Sequence, residues 1–204
     1  GRYVRNVRGL FEEITQTLIA QGHALDPEAM DRRRNPHGCF AGLAEGVPFD
    51  PEWMKITLES LCLEAGVALR YGARFVDALQ EAGRVTRLIV SEASGLTAYA
   101  CGAVVDATGD AAVAAALHCP TVLGRPSDQG LAPASLEFHV ENVDREALMD
   151  YWYGQEEPRC RRLIQRLREQ GVSNFPYEVF IAVQLVWPDV FMINTIRQVG
   201  INGI

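Results

Sequence analysis

The stretch Ala103-Val-Val-Asp-Ala-Thr-Gly-Asp110, followed by Ala111-Ala-Val-Ala-Ala-Ala-Leu-His-Cys119, decides how the rest of the chain is read. Ala103 to Val105 is a short apolar, β-branched run of the kind that forms a buried strand. Thr108-Gly109 breaks it, because glycine accepts a positive φ and lets another group approach the backbone closely. Asp110 then stands where a helix N-cap belongs, ahead of an alanine-rich run of high helix propensity. In strand, glycine turn and helix start, backbone N–H groups face outward, and open α/β sheets bind ligands at the carboxyl ends of their strands. On spacing alone an ordinary strand-to-helix turn reads the same way, since one glycine turn is a weak motif.

Upstream, Val4, Val7, Leu10, Phe11, Ile14, Leu18 and Ile19 recur at helical spacing, and Gly22 ends that helix. Residues 23–48 read as loop, with Arg32-Arg-Arg-Asn-Pro36 a solvated turn. Asp50-Pro51 starts a second helix, the carboxylate as N-cap and the proline at the first helical position. Val67–Tyr71, Arg74–Leu79, Arg84–Ser91 and Leu96–Ala100 read as strands, with turns at Gly83 and Ser94-Gly95. That order predicts a β-meander beside a parallel sheet, not a plain βαβ repeat.

Downstream, Ser135–Val140 alternates as a strand and Asp144 caps a helix through Tyr151. Pro158 starts an arginine-rich helix through Gln170. Phe175–Trp187 is apolar and β-prone, and Val190–Thr195 is a last strand.

Composition narrows the function. The net charge is −7 over 204 residues, so the basic surface that nucleic-acid binding requires is missing. Arginine supplies nearly all the positive charge, with Lys55 the only lysine, and Glu156, Glu157 and Glu169 flank the arginine-rich helix. No apolar run approaches the ~20 residues of a membrane span. The five cysteines (39, 62, 101, 119, 160) show no CxxC pairs, and His23, His37, His118 and His139 show no metal-ligand or triad spacing. No metal site is expected, and reduced thiols fit a cytoplasmic protein.

The segment Val104-Val-Asp-Ala-Thr-Gly-Asp110 with its small-residue helix resembles the "ATG" segment of two-dinucleotide-binding-domain flavoproteins. More closely, it is similar to the FAD-dependent oxidoreductase family whose members carry "DATGDGDVAA" there. Val47-Pro-Phe-Asp-Pro-Glu52, Glu64-Ala-Gly-Val67, Gly83-Arg-Val-Thr86 and Leu123-Gly-Arg125 follow that family's order. Ile193-Asn-Thr-Ile-Arg197 with Val199-Gly-Ile-Asn-Gly203 resembles its "N-x-x-R-x-x-G-x-D-G" stretch. The chain departs from the pattern at Ala111 and Ala112, where the family has Gly-Asp.

The resemblance implies an α/β fold of α+β character. It is a partial FAD/NAD(P)-binding, Rossmann-like domain with an inserted β-meander (residues 1–125) and part of a substrate-facing region (126–204). It implies FAD as cofactor of the parent protein and a small organic substrate. Thr108 and Gly109 would bring backbone to the dinucleotide, Asp110 would cap the next helix, and Phe75 and Val76 would clamp adenine through main-chain groups, against plain sheet core. Asn194 and Arg197 would lie near flavin or substrate, against a structural salt bridge.

The chain holds no GxGxxG, and Gly38, Gly42 and Gly46 have the wrong spacing for one. The expectation is therefore an internal fragment of a flavoprotein, not retaining FAD alone and prone to self-association through uncovered edges. A catalytically inert structural or assembly domain is the alternative.

Overall fold

A computed structural model describes residues 8–27, 29, 46–154, 159–174 and 177–200. The Arg32–Pro36 turn and Pro158 lie outside them. The chain divides into two compact units, one of Gly1–Gly66 with Pro133–Val199, the other of Val67–Ala132 with Gly200–Ile204. This partition differs from 1–125 and 126–204.

In the first unit, α1 (Leu10–Ala20) and α2 (Pro51–Glu64) pack together. Helix α2 begins as its sequence dictates: the Asp50 carboxylate accepts hydrogen bonds from the backbone N–H of Glu52 (2.9 Å) and Trp53 (3.4 Å), and Pro51 occupies the first turn. The two helices are tied by Asp50 N–H donating to His23 O (2.8 Å) and by the His23 ring stacked on Trp53 at 3.7 Å.

The same unit holds a three-stranded antiparallel sheet, ordered β4 (Ala134–Val140), β6 (Phe191–Gln198), β5 (Ala182–Gln184). Strand β6 alternates buried and half-buried residues from Phe191 to Thr195, the period of two of a strand with one face on a core. Against that core face pack α4 (Arg145–Gly154) and α5 (Arg161–Glu169), so that Met149, Trp152, Cys160, Ala182, Phe191 and Ile193 form one cluster. Trp152 meets Phe191 edge-on at 6.2 Å. Asp144 caps α4 by accepting from Ala147 N–H (3.0 Å), as the sequence indicates. Helix α5 starts at Arg161 behind Cys160, whose backbone is left-handed (φ 52°).

The second unit is a meander, β1 (Arg74–Glu81), β2 (Arg84–Glu92) and β3 (Gly95–Ala100), with the short helix α3 (Ala112–Ala116) packed on β1. The β1–β2 turn is Ala82-Gly83, both at positive φ, the two-residue geometry whose twist matches the flanking strands. Across the second turn, Glu92 accepts from the Tyr99 hydroxyl (2.5 Å) and the Thr97 hydroxyl (3.0 Å). The Tyr99 hydroxyl, ahead of that of Thr97, holds the Glu92 carboxyl below its ordinary value.

The architecture is mixed α/β, with the meander where the sequence puts it. Three details differ. Val67–Tyr71 forms no strand, Ala103–Val105 joins no ladder, and only Ala182–Gln184 of the described part of 175–187 is strand. Every ladder among the described residues is antiparallel. A strand exists only when a neighbour takes its N–H and C=O groups. Val105, 92% exposed, has none among the described residues.

Candidate functional site: the Asp106–Asp110 turn and the bulge of strand β1

The turn is built by Asp106. One carboxylate oxygen accepts from Thr108 N–H (3.1 Å) and the Thr108 hydroxyl (2.8 Å), an Asx-type turn. The other accepts from Val113 and Ala114 N–H, both at 3.0 Å. Thr108 Oγ1 in turn accepts from Ala112 N–H (2.9 Å). Asp106 and Thr108 between them satisfy the first donors of α3.

Asp110 therefore does not cap this helix. The N-cap position belongs to Ala111, in left-handed backbone (φ 54°) and without a side-chain cap bond, and α3 runs only five residues. The carboxylate four residues earlier reaches over the glycine turn and takes the place expected of Asp110. The sequence signal for this was the Asp-x-Thr spacing.

Asp106 is held below the ordinary aspartate value of 3.8, first by Ala114 N–H, then by the Thr108 hydroxyl and N–H, with Val113 N–H adding to them against a smaller opposing effect of burial. A carboxyl whose folded value is depressed contributes stability that is fully present above its unfolded value and is lost as pH falls through the folded one. Protection of the Val113 and Ala114 amides, measured relative to their intrinsic exchange rates at each pH, should therefore be full above pH 3.8 and be lost as acid is added below it. Asp106→Ala should show the loss already at neutral pH. Equal rates in variant and wild type would remove Asp106 from the cap.

With Asp106 occupying the N–H groups of Val113 and Ala114, the outward face of the turn is Thr108-Gly109-Asp110, all exposed. Gly109 has φ 85°, and a Cβ built on it meets nothing within 4 Å. The chain itself thus leaves an open approach to the main chain at this glycine. The N–H groups of Gly109 and Asp110 make no hydrogen bond among the described residues.

Phe75 and Val76 lie on β1, the edge strand on which α3 packs. Phe75 pairs with Val90 and Asp77 with Ile89, so Val76 is the extra residue of a β-bulge. Its main chain is left out of the β1–β2 pairing and its side chain is half exposed. All five residues expected at the cofactor (Phe75, Val76, Thr108, Gly109, Asp110) thus belong to one unit, on two elements joined by packing.

Asn194 and Arg197 belong to the other unit, on β6. Between them the register of β6 against β4 slips by one residue, Phe138 pairing with Ile193 and Leu136 with Ile196, so the period of two does not run unbroken from Asn194 to Arg197. Arg197 lies over the Tyr177 ring at 5.3 Å, a cation–π contact. Asn194 donates its backbone N–H to Ile181 O (2.9 Å), and its side-chain oxygen is buried without a partner among the described residues.

The sequence model described as FAD dependent oxidoreductase matches residues 2–187. The chain belongs to that family. FAD is therefore the cofactor of the parent protein, as the resemblance implied. No curated protein and no solved structure matches the chain. The open glycine turn fits the group: it offers exposed main-chain N–H groups of the kind that hydrogen-bond a dinucleotide. Among the described residues no cluster of three or more His, Cys, Asp or Glu side chains is placed to hold a metal ion. No helix of the described residues is long and apolar enough to cross a membrane.

Proposed function

We propose that this chain supplies the Thr108-Gly109-Asp110 face and the Phe75-Val76 bulge of a flavin site in a cytoplasmic oxidoreductase acting on a small organic substrate. The single observation that carries the reading is the glycine turn. Asp106 fixes its geometry from behind, while Gly109 and Asp110 keep outward N–H groups with nothing of the chain in front of them. FAD supplies the two-electron redox chemistry, and the protein supplies position and polarity. Thr108 and Gly109 bring backbone against the dinucleotide, and the unpaired main chain at Val76 serves the adenine edge. Asn194 and Arg197, both on β6, act near flavin or substrate.

The pyrophosphate is a different matter. The chain has no GxGxxG, and the first amides of α3 are already taken by Asp106. The isolated chain should therefore lose FAD on desalting, whereas the parent should keep its visible flavin band. A band retained by these 204 residues alone would overturn that division of labour.

The exposed side chains of Val105, Val122 and Leu123 also support self-association of the isolated chain. Light scattering on the same sample should give a mass above 22.5 kDa, and a clean monomer would reject it. A catalytically inert assembly domain remains the second reading. It is favoured by that same apolar surface and answered by the same spectrum.

A further inference from the structure

Strand β4 is an outer strand of the first unit's sheet, paired with β6 on one side and with no strand among the described residues on the other. All seven of its residues are exposed. The extra residue of the β4–β6 slip lies on β6, since Leu136 and Phe138, two apart, pair with Ile196 and Ile193, three apart. β4 therefore keeps its period of two. Leu136, Phe138 and Val140 share the face of Ile193 and Phe191 in the core, yet they are 61%, 42% and 37% exposed. The opposite face carries Ser135, Glu137 and His139, the last beginning a row with Met192 and Val183 across the three strands.

The ladder fixes which main-chain groups of β4 are open. Asn194 N–H donates to Ile181 O and Leu185 N–H to Val190 O, so Val190, Met192 and Asn194 turn their main-chain groups toward β5. Phe191 and Ile193 then turn theirs toward β4, where they meet Val140 and Phe138. By alternation, Ser135, Glu137 and His139 present their N–H and C=O groups on the outer edge, a template for another strand.

A second β4 pairing antiparallel about a two-fold axis perpendicular to the sheet must place one residue opposite itself. Centred on Glu137, two carboxylates meet, and centred on His139, Glu137 meets Glu141; like charges directly opposite destabilise. Centred on Leu136, His139 meets Pro133, which has no N–H to give. Centred on Phe138, the match is complementary throughout. Phe138 meets itself, Leu136 meets Val140, and Glu137 meets His139 twice, each time as a pair that exchanges both N–H···O bonds.

We propose that β4 is a homodimer interface, pairing antiparallel with β4 of a second copy in the register centred on Phe138. It joins the two three-stranded sheets into one, and Leu136, Phe138 and Val140 of the two copies cover one another. The self-association proposed above thereby gains an edge and a register, and the flavin reading is not needed for it.

The test measures dimerisation of the full chain without FAD by sedimentation, and maps cross-links by peptide mass. The wild type should dimerise with a Kd below about 1 mM. Glu137→Lys and His139→Glu each break the charge match at two places, and each should raise Kd at least about fivefold. The double variant rebuilds the pair with reversed sign and should return to within about twofold of wild type, a rescue that no other centring within β4 gives. Phe138→Cys should form a 138–138 disulfide at least about tenfold faster than Ser135→Cys forms a 135–135 one. In this register the 138 Cα atoms lie about 4.5 Å apart and the 135 Cα atoms about 20 Å apart. Dimerisation without the rescue or without the 138–138 link would overturn the register and leave self-association to another surface. A monomer at every concentration would overturn both. A 138–138 link formed by the chain but not by the parent protein would give the edge to another segment of the parent, and would overturn the proposal too. None of these readouts involves flavin, so the cofactor site stands or falls separately.

Discussion

Gly109→Val should cut the flavin retained by the parent protein after desalting by at least about tenfold, the effect of losing little more than one kilocalorie of binding. Two causes act together. At φ 85° a β-branched residue is strained, at a cost of about 1–3 kcal/mol. A Cβ would also stand in the open space where we place the dinucleotide. Gly109→Asn separates the causes, since asparagine tolerates left-handed backbone while still carrying a Cβ. If close approach is what the glycine provides, both variants lose flavin. If only its conformation matters, asparagine keeps it. Normal flavin in the valine variant would take the turn out of the cofactor site altogether. The visible absorption ratio of flavin to protein reads all three outcomes.

Phe191→Ala should be among the most damaging core substitutions. Phe191 is 1% exposed and packs edge-on against Trp152, itself fully buried, at the centre of the cluster joining β5, β6, α4 and α5. Removing a buried phenylalanine costs about 3–5 kcal/mol, through lost transfer energy and the cavity left behind. That is a large share of the roughly 5–15 kcal/mol that holds a domain folded. The denaturant midpoint of the parent, or of the chain itself, should fall accordingly, with Trp152 emission as a local probe. A loss below about 1 kcal/mol would mean that this cluster is loosely packed.

The two predictions probe different units and different physics. The first concerns a main-chain conformation that leaves space in front of it. The second concerns a side chain that leaves none. Normal flavin retention in Phe191→Ala, with the expected loss of stability, would fit a cofactor face borne by the second unit alone.

Features dictated by neighbouring residues were legible in the sequence. Asp50-Pro51 announces the start of α2 because the cap bonds reach only two and three residues along the chain. Ala82-Gly83 closes a hairpin because two residues at positive φ suffice to do so. Asp144 caps α4 over the same short range. The resemblance to the family, too, was read from local motifs, and the family itself is shown by the match over residues 2–187.

What only the tertiary structure decided are pairings between segments far apart, and choices between equivalent neighbours. An apolar run such as Ala103–Val105 has strand character, but whether it pairs depends on a partner that its own residues do not name. The sequence put Asp110 at the start of α3. The turn geometry gave the helix to Asp106, because its oxygens reach donors seven and eight residues away once the chain folds back at Gly109. Asn194 and Arg197 looked like a pair in the motif, yet their relative facing is set by the one-residue slip of β6 against β4 between them, which the sequence does not announce. The row of His139, Met192 and Val183 comes from antiparallel register across three strands, which no local pattern in the sequence encodes. Local stereochemistry is written residue by residue, whereas register and partner choice are set by the free energy of the whole packed unit.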